Sequence, residues 1–183
     1  MLSSVLLSAM AAKFAAGQSL NTMAFDIGED ASKPDSPNPL YLPVVLATNG
    51  TAGTYILKGE RPSIYTGTPW TTVGISIAPK VLYFVIDGYN AGAQVPDTGN
   101  GSAAFAAPIL AISGSDGDGG WTGHNDFVEH VRIPSSQDFY ACHGVVQGEE
   151  IDVLSWGIEG PDGEQPSGCK KTKVIAGSYN VSS

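Results

Sequence analysis

The sequence predicts an all-β fold, a single-domain β-sandwich or closed β-barrel with long Gly/Pro-rich loops, and three observations predict it. From residue 22 onward, apolar runs of five to nine residues alternate with clusters of Gly, Pro, Asn, Asp and Ser. Charged residues are only 15% of the chain while Gly (23) and Pro (12) are frequent, a mix suited to short elements joined by turns. Outside the N-terminus, no stretch keeps a helical apolar period over about three turns.

The candidate strands follow in chain order. Residues 22–27 (TMAFDI) come first, then 40–47 (LYLPVVLA). Pro43 lies inside the second run and cannot donate to a ladder, which argues for an edge strand or a bulge there. Residues 53–58 (GTYILK) and 72–78 (TVGISIA) lead to 80–87 (KVLYFVID), apolar on both faces and the best central strand. Residues 106–113 come next, and 126–133 (DFVEHVRI) then alternates: Phe127, Val131 and Ile133 fall on one face, His130 and Arg132 on the other. Residues 138–147, 151–157 and 171–177 complete the set. One flat sheet cannot bury so many apolar runs, hence a sandwich or barrel. The low-complexity stretches read as loops: a polar, Pro-rich lead-in at 28–39, then 90–104, 114–120 (GSDGDGG) and 159–168.

The N-terminus reads as an export signal. Residues 1–17 are almost all small or apolar, and both Ala9-Met10-Ala11 and Ala15-Ala16-Gly17 offer cleavage sites, the second leaving 18–183 as the mature domain. Two features depart from the usual pattern: no basic residue precedes the apolar core, and Lys13 interrupts it. Export suits the cysteines, because Cys142 and Cys169 are the only two and make one disulfide. Closing that loop stabilises by roughly 3–4 kcal/mol in the chain-entropy account. Glycosylation sequons begin at Asn49, Asn100 and Asn180. A balance of 9 basic against 18 acidic residues excludes nucleic acid and anionic membrane surfaces as expected partners.

Motifs for catalysis occur only in fragments. Ser155 lies in VLSWG, which lacks the first glycine of a nucleophile elbow. Ser167 and Lys170 have S-x-x-K spacing, but Cys169 lies between them and the partner motifs are missing. His124, Glu129, His130 and His143 lack metal-binding spacing, so no metal and no cofactor is expected. Asp116 and Asp118 offer hard oxygens to a calcium ion, but a solvated turn is the better reading. Glu129 is the most interesting acid. The alternation places it with Phe127, Val131 and Ile133, where it should be less exposed than other acids, as the acid of a glycosidase pair would be. Trp70 and Trp121, beside Pro or Gly in expected loops, together with Trp156, Tyr65 and Tyr89, are available to stack on sugar rings, but capping the ends of the barrel core is the better reading.

The C-terminal third resembles a known group. Asp138-Phe139-Tyr140-Ala141-Cys142, a hairpin containing Trp156, then Pro166-Ser167-Gly168-Cys169 and a final apolar strand resemble the fungal phialide cell-wall protein and its IgE-binding relatives. The match covers 138–176. The resemblance implies an extracellular or cell-wall-associated β protein and supplies no catalytic residues. The expectation is thus a secreted structural or interaction protein without catalytic activity, whose partner is a cell-wall polysaccharide or another surface protein. The alternative is a carbohydrate-binding module or carbohydrate-active enzyme using Trp70, Trp121 and Glu129.

Overall fold

The computed structural model describes residues 19–29, 39–59, 74–78, 81–86, 89–99, 102–124, 127–131 and 136–180. Every regular element among them is a strand: β1 (Ser19–Glu29), β2 (Pro39–Thr48), β3 (Thr54–Gly59), β4 (Gly74–Ala78), β5 (Val81–Ile86), β6 (Tyr89–Gln94) and β7 (Phe105–Pro108). The remainder are β8 (Leu110–Ser113), β9 (Trp121–His124), β10 (Phe127–His130), β11 (Gln137–Val146), β12 (Glu149–Ile158), β13 (Cys169–Lys171) and β14 (Val174–Asn180). The fold is all-β, as the sequence predicts. The export segment, Trp70 and Asn100 lie outside the described residues.

All ladders are antiparallel, and hydrogen bonding runs β13-β11-β12-β3-β8-β6-β5-β4-β1-β14-β10-β9. The path ends at β13 and β9, and β2, lying off it, links β1 to β3, an arrangement consistent with a β-sandwich. β2 is the corner. Its first half pairs with β1 (Phe25 opposite Leu42) and its second half with β3 (Leu46 opposite Leu57). Pro43 falls at the handover: it stands opposite Ala24 of β1, while Val44 already faces Gly59 of β3. A register shift breaks the β1–β2 ladder between Asp26 and Glu29, opposite 39–41 rather than at Pro43, where the sequence argues for an edge strand or a bulge. Gly59 is required at this corner, because a Cβ there would meet Leu42 Cδ1 and Phe25 Cζ, each at 2.8 Å.

The core lies between the layers and is built from Phe25, Leu57, Phe84, Trp121, Phe139 and Trp156, with smaller aliphatic neighbours. A second cluster of Ile56, Ile151 and Val153 occupies the opposite face of β12. β12 is therefore buried on both sides, Leu154 and Trp156 serving one core, Ile151 and Val153 the other. Gln147 (φ 52°) and Gly148 (φ 86°) close the β11–β12 hairpin, both left-handed as a two-residue primed turn demands.

Four of the differences between the structure and the sequence reading concern strand boundaries and facing. The lead-in at 28–39 is shorter than expected, since β1 runs to Glu29 and β2 starts at Pro39. The strand at 106–113 is two strands, separated at Ile109. Residues 90–94, read as loop, belong to β6, where Ala91, Gly92 and Ala93 are buried. Their small size has a cause: the 115–118 segment lies directly on β6, and a Cβ on Gly92 would stand 2.3 Å from the Gly117 nitrogen. Asp118 is spent in that contact. Its backbone N–H donates to the Ala93 carbonyl (2.7 Å) and its Oδ2 accepts from the Val95 N–H (2.6 Å), so this loop is a structural clasp.

The fourth difference is the facing of β10. Val128 is inside (2% exposed), whereas Phe127 (39%) and Val131 (48%) are outside together with Glu129. The expected burial of Glu129 is therefore wrong. The cause is His130, which pattern counting treats as polar. Its ring fits edge-on between Trp121 and Trp156, at centroid distances of 4.9 and 5.0 Å. Each nitrogen lies 3.0 Å from a carbonyl oxygen, Nδ1 from that of Val131 and Nε2 from that of Gly119, so the ring N–H donates to one of the two according to tautomer. A partly buried imidazole packed between two indoles, with a carbonyl acceptor within reach of its N–H, sits inward at this position, and that sets the opposite phase for the strand.

Candidate binding cleft

β10 joins β14 at one described bridge, Phe127 opposite Ile175, and beyond it the two chains part. They part because residues 172–173 are drawn away toward β11 and β1. The Thr172 N–H donates to the Phe139 carbonyl (2.9 Å) and the Asp26 N–H to the Lys173 carbonyl (3.2 Å). The Thr172 hydroxyl also donates to the Asp26 carbonyl. The split leaves a cleft of about 240 Å³ lined by Phe127, Val128, Glu129, Phe139, Thr172, Lys173 and Val174.

Its composition follows from strand alternation. Val128, Phe139 and Val174 are buried and form an apolar floor, while Phe127 is the half-open aromatic wall. Glu129 and Lys173 are exposed at the rim. Neither charge has an ion-pair partner among the described residues, in contrast to Lys171, which bridges Asp138 Oδ2 (2.9 Å) and Glu159 Oε1 (3.3 Å). The floor is stiff. Phe139 packs edge-on to Trp156 (4.9 Å) and at a tilt to Trp121 (6.0 Å), and both tryptophans are 1% exposed.

The chain matches no family model, curated protein or solved structure.

The residues singled out in sequence are divided by this geometry. Glu129 lines the cleft; Trp121 does not, and its burial agrees with the core-capping reading while removing it from the aromatics open to a sugar. It opens β9 and its ring belongs to the core, beneath the cleft floor rather than at the surface. The Cys142–Cys169 disulfide is present, linking directly opposed positions of β11 and β13. Asn49 is exposed in the β2–β3 turn, its Oδ1 accepting from the Thr51 N–H (2.8 Å). Asn180 ends β14, opposite Ser19. Ser155 is buried. His143 and Asp152 form a pair (Nδ1 to Oδ1, 3.1 Å) across the β11–β12 hairpin. No group of three metal-ligating side chains gathers among the described residues.

Sequence reasoning missed Phe127, Lys173 and Phe139 as a set. Lys173 sits in a basic run (Lys170, Lys171, Lys173), the only signal that pointed at it. The cleft lining holds one carboxyl, that of Glu129, and its Thr172 hydroxyl is committed to the Asp26 carbonyl.

Proposed function

We propose that this protein is a secreted, non-catalytic interaction protein of a cell surface or cell wall, and that it holds its partner in the cleft between β10 and the β13–β14 junction. One observation carries the reading: an apolar floor and a half-exposed phenylalanine share one cleft with two charges that have no ion-pair partner among the described residues. Clefts of this composition, mostly apolar with a few polar groups at the edge, are where ligands are fixed and oriented. Extracellular placement is supported by the disulfide and the N-terminal apolar segment. The fungal cell-wall resemblance of 138–176 points the same way, and cell-wall polysaccharide is accordingly the first partner to try. The carbohydrate-binding alternative loses one of its two aromatics with the burial of Trp121.

The test is retention of the purified protein on a panel of insoluble cell-wall polysaccharides and intact walls, with product analysis of the supernatant. Retention that Phe127→Ser abolishes, with no soluble sugar released, is the expected result. Release of oligosaccharide, or retention indifferent to Phe127→Ser, overturns it.

A further inference from the structure

The geometry points to a specific ligand class for this cleft: a small dipolar molecule carrying an ammonium and a carboxylate on one apolar body. The inference rests on the binding role just proposed and goes further by naming the chemistry. Three observations lead to it. First, the volume of about 240 Å³ lies below the ~300–1,000 Å³ common for drug-sized ligands, so the occupant is compact. Second, the cleft presents one anion, Glu129, and one cation, Lys173, both lining it and neither paired with the other or with any described group. Lys58 and Lys171, by contrast, are paired: Lys58 reaches Glu149 (3.5 Å) and Lys171 has two carboxylates. Third, the body between the charges meets Phe127 and Phe139, whose rings favour an aromatic or flat aliphatic group in offset or edge contact.

Charge complementarity sets the orientation. The ammonium faces Glu129, the carboxylate faces Lys173, and the apolar body lies over Phe139, Val128 and Val174. A second copy of this chain is disfavoured as occupant, because two chains of net charge −9 repel. A purely anionic ligand meets Glu129, and a purely cationic one meets Lys173. Only the dipolar class satisfies both rims.

Phenylalanine, phenethylamine and 3-phenylpropionate are the probes, because they share a ring and differ in which charges they carry. Calorimetric titration into the intact protein should show phenylalanine binding about tenfold tighter than either single-charge analogue, the scale of one charge-assisted hydrogen bond. Glu129→Gln should remove its advantage over 3-phenylpropionate, and Lys173→Met its advantage over phenethylamine. Both residues are exposed, so neither change threatens the fold. Equal affinity for the three probes overturns the inference, as does absence of phenylalanine binding up to its solubility. Wall retention separates the two levels of the argument. If Phe127→Ser abolishes retention while phenylalanine fails to bind, the cleft is the contact site and the dipolar class is wrong. If neither Phe127→Ser nor saturating phenylalanine alters retention, the contact site itself is wrong.

Discussion

The β11–β12 hairpin and the β9–β10 hairpin are built from the same antiparallel ladder and put it to opposite uses. β11 and β12 pair over ten positions, from Gln137 opposite Ile158 to Val146 opposite Glu149. β12 is buried on both faces, and β11 is tied to β13 by the disulfide and to Lys171 through Asp138. β9 and β10 pair over four positions and turn Phe127, Glu129 and Val131 outward. The two hairpins meet through four rings, Trp121 and His130 from one, Phe139 and Trp156 from the other. The lesson is a division of labour: stability is concentrated in the long hairpin, which frees the short one to expose apolar surface.

If that division is real, substitutions should rank by hairpin. The largest effect is expected at Trp156, whose loss opens a cavity among Phe139, His130 and the rest of the core. Trp156→Ala should cost about 3–5 kcal/mol in urea unfolding. A cost near that of an ordinary surface change would show that the rings do not join the hairpins. Next comes the covalent tie: replacing both Cys142 and Cys169 by serine should cost roughly 3–4 kcal/mol by loop-closure entropy, with no free thiol detectable in the native wild type. Native alkylation of either cysteine would refute the bridge.

A smaller effect depends on pH. Tyr140 is fully buried, its hydroxyl has no hydrogen-bond partner, and burial, followed by the charge of Glu159, pushes its pKa from 10.0 up to about 12. The folded phenol therefore keeps its proton where the unfolded one has lost it, so stability falls as pH rises from about 10 toward 12. Lys171 acts in the same direction. The hydrogen bond to Asp138 raises its pKa, so its contribution is complete below the unfolded value of about 10.4 and disappears as pH rises through the folded one. Tyr140→Phe should leave stability at neutral pH unchanged or slightly higher, since it removes a buried, unmatched hydroxyl. It should also flatten part of the alkaline fall. An unaltered alkaline slope in the variant would rule out the phenol as a cause. The smallest effect belongs to the short hairpin: Phe127→Ser should change unfolding free energy by no more than about 0.5 kcal/mol. A loss comparable to that of Trp156→Ala would dissolve the contrast between the hairpins.

The long hairpin was legible in the sequence because its signals agree: two apolar runs, 138–147 and 151–157, and a cysteine with one available partner. The central strand β5 was legible for the same reason. β6 was not, because Ala91, Gly92 and Ala93 carry little strand propensity, and their size is dictated by a loop that lies more than twenty residues away in sequence. The β10 facing failed at one residue. Alternation says which side chains share a face, but His130 decides which face is inward, and that depends on two carbonyls and two tryptophans brought by the fold. The cleft lay beyond reach altogether, since Phe127, Phe139 and Lys173 meet only where β10 and β14 diverge.

The corner strand β2 has a consequence for how the molecule comes apart. Residues 39–43 carry hydrogen bonds of β1, and 44–48 carry those of β3, along one unbroken backbone. Opening the β1 side pulls on the very strand that completes the β3 side, so partial unfolding of one layer is penalised by the other. Such shared elements merge what would be separate subglobal openings into a single cooperative event. Amide protons of Leu42 and Leu46, on either side of Pro43, should then exchange with solvent through the same opening and report the same free energy.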